Sequence, residues 1–133
     1  MMLSAIRLGK KILDALLCHA TESVPNECCG LLIGQSDEIL HLHRARNVNE
    51  SPTKFLINPA DHFSAIRDAR SLKMQVIGSY HSHPNSPAIP SATDVAQSDD
   101  PDFLQVIISP PNIRCYRIVG GRYFEVQIIV PAV

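Results

Sequence analysis

His81, His83 and Asp94 are the residues of this sequence best suited by type and spacing to bind a metal ion. The two histidines are separated by one serine, where a predicted strand passes into a loop. Side chains two positions apart on a strand share a face, so both imidazoles can converge on one point. Asp94 follows eleven residues after His83, in the first turn of a predicted helix. Two imidazoles and one carboxylate would leave zinc a fourth position for water, as in catalytic zinc sites.

Each part of this set also has an ordinary structural explanation. The segment 91–94, Ser-Ala-Thr-Asp, matches a capping box that opens a helix, and taken alone it favours capping over metal binding. The two roles are compatible, because the first turn of a helix also suits an anionic ligand. A second His-x-His pair, His41 and His43, has no suitably spaced aspartate and is interpreted as a solvent-facing strip. His19 and His62 lie in predicted helices and are expected at the surface or the rim of the site.

Length and charge limit the class of protein. The chain has 133 residues and a mass of 14.7 kDa, the size of one domain with a substantial core. Hydrophobic residues make up 45% and charged residues 19%, which is typical of a folded chain. The formal charge is −1, whereas nucleic-acid-binding domains usually carry a basic excess. No nucleic-acid partner is therefore expected.

The sequence predicts a cytoplasmic protein without a membrane span. No apolar run approaches the roughly 20 residues that a membrane helix needs. Asp14 and His19 interrupt the apolar stretch near the N-terminus, which favours an amphipathic helix over a signal peptide. The four cysteines form no Cys-x-x-Cys pair, and Cys28 and Cys29 are interpreted as small buried side chains. Free thiols are most common in a reducing compartment.

The elements that must position the site follow from apolar periodicity and from turn residues. We predict strands at 4–8, 28–34, 38–48, 54–57, 75–81, 103–109, 113–119 and 123–130, and helices at 9–21, 58–72 and 91–98. Asn58 is a capping residue, Pro59 suits the first helical position, and Asp61 favours the positive end of the helix. Gly120 and Gly121 predict a hairpin turn. Consecutive strands mixed with helices predict an α+β fold with a mostly antiparallel sheet.

With these residues in place, the sequence resembles the JAMM (MPN-plus) metalloproteases. The resemblance is carried by His81-Ser82-His83-Pro84, Ser91 and Asp94, at the family's spacing, and by an upstream stretch at 25–34 that contains Glu27. It covers essentially the whole chain and is closest to the small prokaryotic branch. It implies a single JAMM/MPN domain over 1–133, with a cytidine-deaminase-like fold and a curved, mostly antiparallel mixed sheet flanked by helices.

The resemblance also implies a role for each matching residue. His81, His83 and Asp94 would hold one Zn²⁺ per chain, and Glu27 would be the general base. Ser91 would donate a hydrogen bond to the developing oxyanion. Without the resemblance, Glu27 would be interpreted as an ordinary charged residue at the start of a strand.

The implied reaction is zinc-dependent hydrolysis of a peptide or isopeptide bond. Its substrate would be the C-terminal tail of a ubiquitin-like or sulfur-carrier protein ending in Gly-Gly, which we expect to lie along the sheet edge near Glu27. The alternative is a catalytically silent MPN-type protein-binding scaffold, although every matching position is filled here. A zinc deaminase would need His-x-Glu and Pro-Cys-x-x-Cys, and neither signature accompanies His81.

Overall fold

The computed structural model describes residues 5–132, which form three helices and seven strands. In chain order these are β1 (Ala5–Leu8), α1 (Lys10–Ser23), β2 (Cys29–Gln35), β3 (Glu38–Ala45), α2 (Pro59–Ser71), β4 (Gln75–Ser82), α3 (Ala92–Gln97), β5 (Leu104–Ser109), β6 (Asn112–Val119) and β7 (Arg122–Ile129). None of the described helices has the length and apolar character needed to cross a bilayer.

Local sequence explains where the helices begin. The Asn58 side chain accepts the Ala60 N–H at 2.9 Å, and Pro59 occupies the first turn of α2, as predicted. Gly9 precedes α1 in an extended conformation without a side-chain cap.

The turn between β6 and β7 has φ of +57° at Gly120 and +78° at Gly121, a conformation that favours glycine.

The seven strands close into a barrel in the order β1-β3-β2-β4-β5-β6-β7. Four strand pairs are antiparallel and three are parallel, which confirms the α+β class and the mixed, mostly antiparallel sheet. Closure comes from β1, which pairs in parallel with both β3 and β7. The sequence predicts a curved sheet but not its closure, because closure depends on pairing the first described strand with the last.

Two apolar layers hold the helices against this barrel. Leu16 and Ala20 of α1 join the main core, where they meet side chains of the barrel such as Leu32. Ala65 and Ala69 of α2 pack with Leu31 and Ile33 of β2 in a second cluster. Successive β2 side chains thus pack into opposite apolar layers, because side chains alternate between the two faces of a strand. β2 is therefore buried on both faces at the centre of the fold.

Two of the predicted strands differ from the structure or begin outside its described residues. The strand predicted at 54–57 does not form, because in the described chain only an isolated bridge between Asn47 and Ile57 pairs this segment. The segment is instead part of an irregular connection between β3 and α2. The predicted start of the first strand at Ser4 lies outside the described residues. The other predicted elements are present, with bounds that differ by no more than a few residues.

Candidate metal centre

The structure brings the side chains of His81, His83 and Asp94 together. The two Nε2 atoms are 3.1 Å apart, and they lie 3.1 and 3.2 Å from Asp94 Oδ2. Adjacent ligands in a tetrahedral site with bonds of about 2.0 Å are separated by about 3.3 Å, so this spacing fits a zinc-sized ion. Within the described part of the chain, these three residues form the one cluster of histidine, cysteine or acidic side chains close enough to share a metal.

Three elements deliver the three groups. His81 lies near the end of β4, paired with Cys29 of β2 on one side and Ile107 of β5 on the other. His83 follows the strand end, and its backbone N–H donates to the Ile108 carbonyl at 2.8 Å. Asp94 lies in the first turn of α3. The site therefore forms at the end of a buried strand, where the chain leaves the barrel.

The environment of each imidazole suits a metal ligand. His83 Nδ1 is 2.8 Å from the Pro87 carbonyl, and a proton donated there leaves Nε2 with its lone pair free. His81 is fully buried, and burial lowers its pKa despite the opposing effect of Asp94, so the neutral form is favoured. Phe55 stacks on the His81 ring, with centroids 4.2 Å apart and planes inclined by 16°.

Asp94 serves the helix cap and the cluster at the same time. Its backbone N–H donates to Ser91 Oγ at 3.0 Å, and its Oδ2 accepts the Ser91 N–H at 2.9 Å. Burial alone would raise the pKa of Asp94, but hydrogen bonds from His81 and His83 lower it well below its usual range. The capping interpretation is thus confirmed and does not exclude metal binding. Because Ser91 Oγ is an acceptor in the cap, its own proton is available for another partner.

Glu27 lies just before β2, close enough to the cluster to interact electrostatically with it. The side chain is 5% exposed, and Oε1 has no hydrogen-bond partner among residues 5–132. Burial raises the pKa of Glu27 to about 7, with His83 lowering and Asp94 raising it to a smaller extent. A carboxyl group with this pKa can accept and return a proton near neutral pH. Ser82 supports the segment, because its Oγ accepts the N–H of Cys28 at 2.8 Å.

Other residues singled out from the sequence lie away from the cluster. His41 is exposed on β3, as predicted, but His43 is half-buried and its Nδ1 lies 2.8 Å from Asp68 of α2. The prediction that His19 is at the surface is wrong. Its side chain is 9% exposed and hydrogen-bonded to the Tyr80 hydroxyl at 2.7 Å. His62 is partly exposed and lines a groove beside Asp94, which agrees with a rim position.

The cysteines have no role in the cluster. Cys28 and Cys29 are buried, as predicted, and Cys115 is also buried. Burial raises the pKa of Cys28 to about 11 and that of Cys29 to about 12, so both remain thiols at neutral pH. Cys18 is exposed on α1.

A groove of about 510 Å³ opens directly beside Asp94. Its lining includes Phe55, Leu56 and Ile57, from the connection between β3 and α2, and Phe103. Apolar side chains and polar groups therefore line the same groove, a combination that is common in ligand-binding sites. Sequence analysis did not predict this groove, because part of its lining comes from a segment without regular structure.

Comparison with known families gives a match over most of the chain. Residues 9–119 match the family described as prokaryotic homologs of the JAB domain. The chain is 30% identical to a desampylase of Haloferax volcanii, over 96% of this chain and 97% of that protein. It is also 30% identical to a CysO-cysteine peptidase of Mycobacterium bovis, over 90% and 86% of the two chains.

Solved structures give the same fold. A protein from Desulfitobacterium hafniense superimposes with a TM-score of 0.86 and 33% identity, covering 95% of this chain and 92% of that one. A structure described as a JAMM metalloprotease-like zinc site in the proteasome and signalosome superimposes with a TM-score of 0.59. That structure is 22% identical and covers 96% and 99% of the two chains, so the likeness concerns the fold.

Proposed function

This chain belongs to the prokaryotic branch of the JAB (JAMM) family of metalloproteases, and on that premise we propose that it is a zinc-dependent peptidase or isopeptidase. It would hold one Zn²⁺ through His81, His83 and Asp94. The observation that carries the proposal is the convergence of three ligand atoms, 3.1–3.2 Å apart, near the buried carboxyl of Glu27. Desampylase and CysO-cysteine peptidase are the names of relatives that match over most of their length.

The proposed substrate is the C-terminal tail of a ubiquitin-like or sulfur-carrier protein in a reducing cytoplasm. Strand addition to β2 is not a route to the site, since β2 is already paired with both β3 and β4. The expected position of the tail along the sheet edge near Glu27 would therefore not involve an added strand on β2. We place the tail in the groove beside Asp94, because Asp94 belongs both to its lining and to the ligand cluster. A Gly-Gly end would let the scissile carbonyl approach without side-chain obstruction.

The residues around the cluster divide the chemistry among them. A zinc ion in this site would make water more acidic and would polarise the scissile carbonyl. Glu27 accepts the proton of the attacking water and then donates it to the leaving nitrogen, for which its pKa near 7 is suitable. The Ser91 hydroxyl donates a hydrogen bond to the developing oxyanion. The unpartnered Oε1 of Glu27 is consistent with an acceptor held ready for water.

The first test is the zinc content of the purified wild-type chain, compared with His83→Ala and Glu27→Gln. We expect one zinc per wild-type chain, none in His83→Ala, and full content in Glu27→Gln. Conjugates of carrier proteins should then be cleaved by the wild type. Cleavage by Glu27→Gln should be slower by at least about 100-fold, because a general base is lost.

His43→Ala is the matched control for metal binding and should retain zinc and cleavage. A wild-type chain that takes up no zinc on titration would contradict the enzyme and favour a silent binding scaffold. Full activity in Glu27→Gln would contradict the assignment of the base while leaving the metal site intact.

A further inference from the structure

The connection between β3 and α2, residues 46–58, touches the site at two points although much of it is exposed. At one point Phe55 stacks on the ring of His81. At the other, the N–H of Glu27 donates to the Ser51 carbonyl at 2.8 Å. One irregular segment therefore contacts both the proposed base and a proposed metal ligand. Since little of it is buried, hydrogen bonds must fix its shape.

Asn47 is the centre of those hydrogen bonds. Its Nδ2 donates to the Glu27 carbonyl at 3.2 Å and to the Lys54 carbonyl at 3.0 Å. Its Oδ1 accepts the N–H groups of Asn49 and Leu56, both at 3.0 Å. A primary amide offers two donor hydrogens and two acceptor lone pairs, so its hydrogen-bonding capacity is fully used. The single side chain joins both arms of the connection to the start of β2.

The backbone of Glu27 is consequently held from both sides. Its N–H is bonded to Ser51 and its carbonyl to Asn47, both from the same connection. The carboxyl end is different, since Oε1 has no partner among residues 5–132. The position of the carboxyl group is therefore set through the backbone rather than through a side-chain hydrogen bond.

The two histidines differ in the way that their rings are held. His83 is oriented by the hydrogen bond between Nδ1 and the Pro87 carbonyl. In His81 the Nδ1 atom has no partner within residues 5–132, and the stacked ring of Phe55 restrains the imidazole plane in addition to the contact of Nε2 with Asp94. Phe55 lies one residue beyond Lys54 and one before Leu56, both of which are bonded to the Asn47 side chain. The amide of Asn47 thus fixes the backbone that places Phe55.

From these contacts we infer that Asn47 is a positioning residue for the reaction, holding Glu27 through its carbonyl and His81 through Phe55. Its catalytic consequence rests on the proposed peptidase function, while its structural consequence does not. Asn47 touches neither the ligand atoms nor the groove beside Asp94. Loss of its amide donor should change the rate of the chemical step more than the binding of substrate.

The test compares Asn47→Asp with Asn49→Asp in the full-length chain. Aspartate at position 47 keeps the two acceptor bonds but loses the donation to Glu27 and Lys54. Position 49 lies exposed in the same connection, so its variant adds the same charge without that loss. We expect kcat of Asn47→Asp to fall about 10- to 100-fold, with KM changed less than about threefold. Asn49→Asp should stay within about twofold of wild type.

Two further measurements do not depend on cleavage. The Glu27 amide should exchange its hydrogen faster in Asn47→Asp than in Asn49→Asp, because the Glu27 carbonyl loses its bond from Asn47 and the backbone is then held only through the N–H bonded to Ser51. Zinc Kd should rise about tenfold in Phe55→Leu and shift in the same direction in Asn47→Asp, as for other residues that orient a ligand. Equal kcat in the two aspartate variants, or equal exchange at Glu27, would overturn the inference. If the wild type cleaves no conjugate, the proposed function fails, and amide exchange and zinc Kd decide the inference.

Discussion

The two His-x-His pairs of this chain lie on neighbouring parts of one barrel and have different surroundings. His43 on β3 and His81 on β4 flank the same strand, paired respectively with Leu31 and Cys29 of β2. Each pair also has an aspartate supplied by a helix. Asp68 of α2 binds His43 alone, whereas Asp94 of α3 contacts both His81 and His83. The same motif therefore gives a single histidine–aspartate contact in one place and a three-residue cluster in the other.

Burial and strand ends account for the difference. The side chain of Asp94 is 10% exposed and its histidines are 0% and 5% exposed, whereas Asp68 is 55% exposed. His83 has left the regular strand, which lets its ring turn towards His81, while His41 remains within β3. Alternation on a strand places two imidazoles on one face, but convergence requires one of them to lie beyond the strand end. Desolvation then strengthens the attraction to the shared carboxylate.

The largest effect on zinc affinity is expected from removing the negative charge of Asp94, which contacts both His81 and His83. Asp94→Asn keeps an oxygen that can accept the Ser91 N–H but removes the anionic ligand, so zinc Kd should rise more than about 100-fold and cleavage should be lost. The matched variant is Asp68→Asn. It should leave zinc Kd unchanged within about twofold and cost less than about 1 kcal/mol of folding free energy, as expected for an exposed pair. Zinc titration and denaturant unfolding measure the two quantities. Equal zinc affinities in these variants would contradict the distinction between the pairs.

A smaller effect separates the capping role of Ser91 from its proposed role as a hydrogen-bond donor to the oxyanion. Ser91→Ala removes the hydroxyl that accepts the Asp94 N–H, and kcat should fall about 100-fold while zinc Kd changes little. Loss of the capping oxygen should lower the free energy of unfolding by about 1 kcal/mol. Ser91→Thr retains a hydroxyl and should recover most of kcat. A fall in stability without a fall in kcat would leave Ser91 with the capping role alone.

The smallest effect concerns His19, a buried histidine without a carboxylate bonded to it. Burial lowers its pKa to about 4, with Arg44 lowering and Glu22 raising it to a smaller extent. Because the unfolded chain binds this proton near pH 6.5, its contribution to stability is complete above pH 6.5 and is lost as pH falls towards 4. The difference in unfolding free energy between wild type and His19→Gln should change by about 2 kcal/mol over this interval.

Chemical denaturation at a series of pH values measures this difference. Above pH 7 it should be constant, since neither state gains a proton at position 19. A difference that is independent of pH down to 4 would show that His19 is not buried in neutral form.

Features formed by residues that lie close together in the sequence could be predicted from the sequence. The cap at Asn58 and the capping box at Ser91 depend on atoms within four residues, and both were predicted. The ligand cluster was identified from the spacing of His81, His83 and Asp94, combined with a strand end and a helix start. The identification of Glu27 as the candidate base depended on the family resemblance. Nothing in the sequence next to an acidic residue that precedes a strand indicates that it is buried.

Contacts that are distant in sequence were not predictable in the same way. His19 was placed at the surface because its partner Tyr80, which buries it, lies 61 positions along the chain. The strand predicted at 54–57 satisfied local propensity, but Asn47 takes up the Lys54 carbonyl and the Leu56 N–H that a strand would need. Side-chain hydrogen bonds of this kind compete with a ladder and leave no periodic pattern.

Closure of the barrel has a consequence for synthesis of the chain on the ribosome. β1 is made first among the described strands, but one of its two partners, β7, is made last. A nascent chain therefore carries an unpaired edge on β1 until β7 emerges, even when β2, β4 and the ligand cluster are already available. An open strand edge is a template for association with other chains. The strands that build the proposed metal centre can assemble early, whereas protection from aggregation is completed only by the last described strand.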